Sequence, residues 1–362
     1  MTPEVSDRLH AYRLCAALLV LMTHAAQLGY TGPGHGALEG FGRLGVIAFF
    51  VLSGVVIAYV VESRHDCFRD YLAARLARLH SVLLPAMLLT FCADLAGRAW
   101  MPELYVTFPS PTDARTLAGA PLFPAFLYQG PGLALRWLSN SPLWSIAYEY
   151  WYYMLFGAWV YARGQRRWVL LLAAAAIAGT KILLLFPLWL AGVWLYRARG
   201  RIADLPSRPV ALAGIAGILV LLLLCLPQGY AMLGWLREWG REQIGQNFSA
   251  HLPWDLFLLL PVGLVMAAIL HPATPSFGPR LAAAIAWLAD ATFSIYCYHL
   301  PLLLLLRASG FYDSRSAWQS TLAALAVLAA CVALSLLTER RKQPWLRAWR
   351  RLLGLGPRPK VA

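Results

Sequence analysis

Ten apolar stretches set the limits on what this chain can fold into. They run at 12–28, 44–62, 79–97, 142–162, 167–181, 182–197, 209–227, 252–271, 283–306 and 317–338. Each is close to the ~20 residues that an α-helix needs to cross a bilayer. In hydrocarbon every backbone N–H and C=O must be paired inside the protein, and a helix does this within one segment. The spacing therefore predicts an all-α fold, a polytopic membrane helix bundle with about ten transmembrane helices. Only 13% of the 362 residues are charged, and the mean hydropathy is +0.58. A soluble domain carries about 25%. Lys181 and Pro187 divide the fifth stretch from the sixth. Trp100, Tyr105, Trp137, Trp168, Trp194, Trp235, Trp254 and Trp318 crowd the expected span ends, as an interfacial belt does.

Charge gives the spans a direction. The formal net charge of +14 would suggest nucleic acid in a soluble protein, but here the basic residues gather in loops, and no nucleic-acid partner is expected. With the N-terminus in the cytoplasm, 22 of the 31 Lys and Arg fall on the cytoplasmic side; Arg43, Arg98, Arg115, Arg136, Lys181, Arg237, Arg241, Arg307 and Arg315 do not. That bias predicts both termini inside and an even number of spans. The polar, mixed-charge start MTPEVSDRLHAYR predicts no cleavable signal peptide. Residues 1–338 read as one transmembrane domain. Residues 339–362, with Trp and Leu interleaved among Arg, read as a basic cytoplasmic tail lying on anionic lipid. The proline-rich stretch 98–141 reads as a folded or re-entrant lid, and 228–251 holds an amphipathic helix near 235–246. The six cysteines are scattered without a C-x-x-C. They are expected to be small buried hydrophobes, forming neither a disulfide framework nor a metal site.

Ionisable residues inside spans are costly and mark candidate function. Arg13 and His24 share the first span. Eleven helical residues turn roughly 20° past three full turns and rise ~16 Å. The pair thus lies on one face at two depths, Arg13 at the cytoplasmic face and His24 in the outer half. Imidazole, with an ordinary pKa near 6.5, is a general base at neutral pH; a structural histidine bonded between helices is the plain alternative. Arg75 and Arg78, at i and i+3 before the third span, form either a topology flank or a phosphate clamp, since the guanidinium fork matches phosphate oxygens. Glu149 stands about two turns into the fourth span among aromatic residues, where it could meet His24. Asp94, Asp255 and His299 fall in the same outer layer and are candidate substrate contacts; Asp290 lies deeper. Ser53 and Gly54, in FFVLSG, permit close helix approach.

Taken together, Arg13-X10-His24, FFVLSG at 49–54, Arg75-x-x-Arg78, LWSIAYEYWYYMLF at 143–156 and SIYCYHLPLLLL at 294–305 resemble the acyltransferase-3 family of bacterial membrane O-acyltransferases. The resemblance covers nearly the whole chain. It implies acyl-coenzyme A as donor, no metal, and a place in the bacterial cytoplasmic (inner) membrane. It further implies catalysis at His24 with Arg13, donor handling by Arg75 and Arg78, and an acidic position at Glu149. Before the arginine, where the family often carries glycine or aspartate, this chain has Leu9-His10-Ala11-Tyr12. The form expected is the stand-alone one, without the esterase-like domain of larger members.

The expected reaction is transfer of an acyl group, acetyl first, from acetyl-coenzyme A to a carbohydrate hydroxyl. His24 acts as base or as transient acyl carrier, and Glu149 orients it or offsets its imidazolium charge. Acceptors that fit are an exopolysaccharide, a lipopolysaccharide, a lipid-linked sugar or a small secondary-metabolite sugar such as a macrolide's. A transporter or flippase also places charges in the membrane, but no inverted halves or paired broken helices are visible. A structural scaffold leaves the charged layer unexplained. Nothing in the pattern sets an oligomeric state.

Overall fold

The computed structural model describes residues 1–30, 38–63, 67–113, 137–245, 248–313 and 316–356. Among these the chain is helix and connecting loop, with no strand. The main helices are α1 (Pro3–Gln27), α2 (Glu39–Ser63), α3 (Phe68–Trp100), α4 (Trp144–Tyr161), α5 (Gly164–Arg197), α6 (Ser207–Cys225), α7 (Gly234–Ile244), α8 (Leu252–Leu270), α9 (Pro279–Ala289), α10 (Thr292–Ser309), α11 (Ala317–Leu337) and α12 (Lys342–Leu352).

Each apolar stretch lies on a helix, and the fold is the expected all-α one. The count is lower than expected. Seven helices among the described residues are long and apolar enough to cross a membrane, or eight if the broken pair α9 and α10 is one span. Two causes account for most of the difference. The fifth and sixth stretches fall on two helices that run together across a kink at Gly179, just before Lys181, and Gly164–Arg197 counts as one candidate span. Gly179 has φ 77, a conformation that glycine adopts without the Cβ clash. The 18-residue α4 falls short because Glu149 and a run of Tyr and Trp dilute its apolar residues.

The helices divide into two compact units. Residues 1–60, 181–292 and 311–326 make the first. Its α1 starts at Thr2, whose hydroxyl accepts from Val5 N at 3.4 Å, with Pro3 in the first turn. Arg8 then ties α1 to the end of α8, donating from Nε to Ile269 O at 3.0 Å, from Nη2 to His271 O at 3.1 Å, and from Nη1 to Thr274 O. A cation there satisfies carbonyls that a helix end leaves open. Helix α2 crosses the second half of α5 so closely that a Cβ on Gly54 would meet the Trp189 carbonyl oxygen, and one on Gly192 the Val51 carbonyl oxygen. Trp189 Nε1 donates to Ser53 Oγ at 3.1 Å across the same crossing. FFVLSG is thus a packing surface. Gly192→Ala is expected to cost about 3 kcal/mol, because the obstacle is backbone and cannot turn aside. Thermal unfolding in detergent checks this against Gly200→Ala, whose Cβ would have nothing within 4 Å.

Residues 61–180, 293–310 and 327–362 make the second unit. Its axis is α3, 33 residues and roughly 50 Å long, more than the ~30 Å hydrocarbon core requires. The tail helix α12 lies along the first part of α3: Arg350 pairs with Asp70, and the Trp349 ring sits 5.1 Å from His80. Glu339, just before α12, accepts from Ser294 N at 2.9 Å at the start of α10, where a helix favours negative charge. Helix α4 runs antiparallel to α3, with Phe68 and Tyr71 against Tyr161 and Tyr71 Oη donating to Tyr153 O at 3.2 Å.

The segment before α4 turns inward. Trp137 Nε1 donates to Met87 O at 3.0 Å, and Ser139 binds Asp94. Those α3 residues lie roughly 9–20 Å short of its Trp100 end. Residues 137–143 therefore enter the depth of the helix, as a re-entrant segment does. The rest of the expected lid, 114–136 with Arg115 and Arg136, lies outside the described residues, as do 357–362 of the tail.

Candidate active site

In the first unit, α1 carries both Arg13 and His24 without a break, so the one-face, three-turn relation holds. His24 is half-buried, and its Nδ1 lies 3.0 Å from the Val20 carbonyl oxygen one turn back. A carbonyl oxygen can only accept, so Nδ1 carries the proton and the neutral ring keeps its lone pair on Nε2. The ring is thereby fixed in orientation and in tautomer. Beside it, Thr23 packs on α2: a Cβ on Gly42 would lie 2.7 Å from the Thr23 methyl. Only glycine allows this approach.

Arg13 has a carboxylate partner. Its Nη2 lies 3.5 Å from Asp290 Oδ1, at the break between α9 and α10. The Asp290 side chain is 61% exposed, so the pair is loose and screened, and such a partner is readily exchanged for an anionic ligand.

Asp255 is fully buried in the first turn of α8 and is held by Arg43 of α2. Arg43 Nε donates to Oδ1 at 2.7 Å and Nη2 to Oδ2, a bidentate fork. Sequence reasoning had counted Arg43 only as a topology charge. The signal for it is weak, since the two residues stand 212 positions apart.

In the second unit, Tyr153 Oη donates to Glu149 Oε1 one turn along α4. The Arg75 guanidinium lies 5.9 Å from the Tyr153 ring and 5.9 Å from the Tyr71 ring. Arg75, Arg78 and Glu149 all act electrostatically on the Tyr153 phenol. Glu149, half-buried, is therefore joined to the arginine pair through one tyrosine. This corrects the expected separation, with Glu149 in an outer layer and the arginines at the opposite face. The cause is the inward turn before α4, which starts that helix deep. Tyr153 went unnoticed in the sequence, although its i, i+4 spacing from Glu149 was there to be read. Arg75 Nε is buried and makes no hydrogen bond to any described residue, as a cation awaiting an acceptor would.

Asp94 and His299 belong to a different level of the same unit. Asp94, fully buried, accepts from Ser139 N at 3.0 Å and from Ser139 Oγ at 2.6 Å. Asn140 Nδ2 donates to Thr90 Oγ1 at 3.0 Å and to Cys297 O at 2.8 Å, two residues before the fully buried His299. The His299 Nδ1 engages Ile295 O at 2.9 Å. These bonds hold the turn around Leu138, whose φ of 51 is strained for a side chain with a Cβ. The carboxylates of Asp94 and Asp255 are thus engaged by protein groups. No group of three or more His, Cys, Asp or Glu able to hold a metal ion occurs among the described residues. An apolar hollow of about 490 Å³, lined by Leu88, Cys92, Tyr298, Leu302 and Leu334, has no carboxylate, imidazole or basic side chain in its wall.

Residues 7–340 match the family model described as an acyltransferase domain. The chain belongs to that family, and its fold and family together define a multi-pass membrane acyltransferase. A stretch of 80 residues is 38% identical to a protein of Shigella phage Sf6 named O-acetyl transferase. It covers 22% of this chain and 24% of that relative, about a quarter of its length. No solved structure gives a significant match.

Proposed function

We propose that the protein transfers an acyl group, acetyl first, from cytoplasmic acyl-coenzyme A to a carbohydrate hydroxyl in a surface polysaccharide or lipid-linked sugar. The observation that carries this reading is His24, an imidazole inside a membrane-spanning helix whose Nδ1 lies 3.0 Å from the Val20 carbonyl oxygen and so orients the ring. Nε2 takes the proton of the acceptor hydroxyl, and the oxygen attacks the thioester carbonyl. The carbon–sulfur bond breaks, and the coenzyme A thiolate leaves and takes up the proton. In the alternative order, Nε2 accepts the acyl group first and passes it to the hydroxyl. Arg75 and Arg78 bind the donor phosphates, and the buried Arg75 Nε, which has no hydrogen-bond partner among the described residues, supports that assignment. Arg13 is the further cation assigned to the donor. Glu149, its carboxylate held by Tyr153 beside Arg75, is the acidic residue assigned to the reaction. Asp94 and His299 are assigned to the acceptor side, and Asp255, both of whose oxygens accept from Arg43, to neutralising that cation. Both termini lie in the cytoplasm of a bacterial inner membrane, and the transmembrane domain ends near residue 338, where the basic tail begins.

Purified protein in detergent is expected to release free coenzyme A from acetyl-coenzyme A when given acceptor. A transporter would release none, and that result would sink the proposal.

A further inference from the structure

The start of α8 in the first unit collects more positive charge than its packing uses. Arg237 of α7 lies 3.5 Å over the Tyr230 ring and 5.5 Å from the Trp254 ring, and donates from Nη1 to Tyr230 O at 2.6 Å. Arg241 stands one turn further along the same face of α7. Arg43, Arg241 and Arg237 all act electrostatically on the His251 ring at the head of α8. The acids nearby do not balance them. Asp255 is taken up by Arg43, while Glu238, one turn before Arg241, and Glu242 are both exposed and screened. Gly240 lets α7 press on this end, since a Cβ there would meet the Ala250 carbonyl oxygen.

Two further groups point to what is missing. Trp254 is fully buried, yet its Nε1 makes no hydrogen bond among the described residues. The buried Nδ1 of His251 makes none either. Indole N–H can only donate, and a buried donor left without an acceptor costs more than an ordinary hydrogen bond returns. The N-terminal end of α8 adds partial positive charge. A ligand that suits an indole N–H, an imidazole and two guanidinium groups is anionic and rich in acceptor oxygens. Phosphate meets that description better than a planar carboxylate.

The cluster and the histidine belong to the same unit. Arg43 follows Gly42, which abuts Thr23, the residue before His24. We propose that Arg237, Arg241, His251 and Trp254 form a binding site for a phosphate-type oxyanion. Resting on the acyltransferase reading above, this makes the acceptor a hydroxyl compound that carries a phosphate or pyrophosphate group.

The test is calorimetric titration of inorganic pyrophosphate into purified protein, in neutral detergent with phosphatidylcholine and without acyl-coenzyme A. Saturable binding is expected. Arg241→Gln, at an exposed position that folding tolerates, and Arg237→Gln are each expected to weaken it about tenfold, the loss of one charge-assisted contact. Trp254→Phe keeps an aromatic ring, removes the N–H together with the pyrrole half of the indole, and is expected to weaken it several-fold. Unchanged affinity in all three variants, each eluting as folded protein, overturns the site. Replacement of phosphatidylcholine by phosphatidylglycerol separates the two sources of phosphate. Loss of pyrophosphate binding there would make the ligand a lipid headgroup and overturn the acceptor assignment. Coenzyme A release is read in parallel. Its absence with binding intact strikes the acyltransferase reading and leaves the oxyanion site standing.

Discussion

Replacing His24 with Ala is expected to abolish acyl transfer while the protein still inserts and elutes as folded material. As a general base, the imidazole contributes roughly 10²–10⁴-fold, and as an acyl carrier its removal leaves no route at all. The competing reading makes His24 a structural link within α1, through its Nδ1 bond to Val20 O. His24→Gln separates the two. A glutamine amide N–H can reach the same carbonyl, yet the side chain has no basic nitrogen. If the bond to Val20 is what matters, the glutamine variant works and the alanine variant does not. If the chemistry matters, both are inactive and equally stable. Acceptor-dependent release of coenzyme A measures this, and full activity in His24→Gln rejects the assignment. Intact-mass measurement after mixing with acetyl-coenzyme A then distinguishes the two orders of reaction, because only an acyl-His24 intermediate adds the mass of one acyl group.

The relation between Arg13 and His24 was legible in the sequence because it depends on helical period alone, and α1 is unbroken over both. The packing role of FFVLSG was legible for a similar reason, since small residues in an apolar helix have few other uses. Glu149 was placed on the wrong level. Its depth depends on where α4 begins, and that is set by bonds from Trp137, Ser139 and Asn140 to α3 and α10, over separations of 45 to 157 residues. Local pattern carries no record of such contacts. The count of spans differs on a conformational point. A lysine and a proline looked like the divider of α5, whereas the backbone turns at a glycine just before them. Charges had a further ambiguity. Arg43 was counted among the nine basic residues of the outer side, as a loop-flank residue, and nothing local distinguished it from one. Its neutralising partner comes from α8, so the basic residue that flanks a span became half of a buried pair.

That pair yields the second large effect. Asp255→Ala is expected to cost about 3–5 kcal/mol of stability, because it strands the Arg43 guanidinium, whose side chain is only 11% exposed. Arg43→Ala is expected to cost a similar amount by stranding a carboxylate with no exposure at all. Replacing both at once, Arg43→Met with Asp255→Leu, removes the charges together with their desolvation penalty and is expected to recover most of the loss. Thermal unfolding of the three variants in one detergent gives the coupling directly. The same variants decide what Asp255 is for. If it contacts the acceptor, the folded fraction of Asp255→Asn shows a raised KM for the acceptor. If its duty is to neutralise Arg43, stability falls in Asp255→Asn and the folded fraction keeps its KM. The bidentate geometry and complete burial favour the second outcome. Both carboxylate oxygens are occupied by one guanidinium, and a substrate hydroxyl would have to displace a charged donor to reach them.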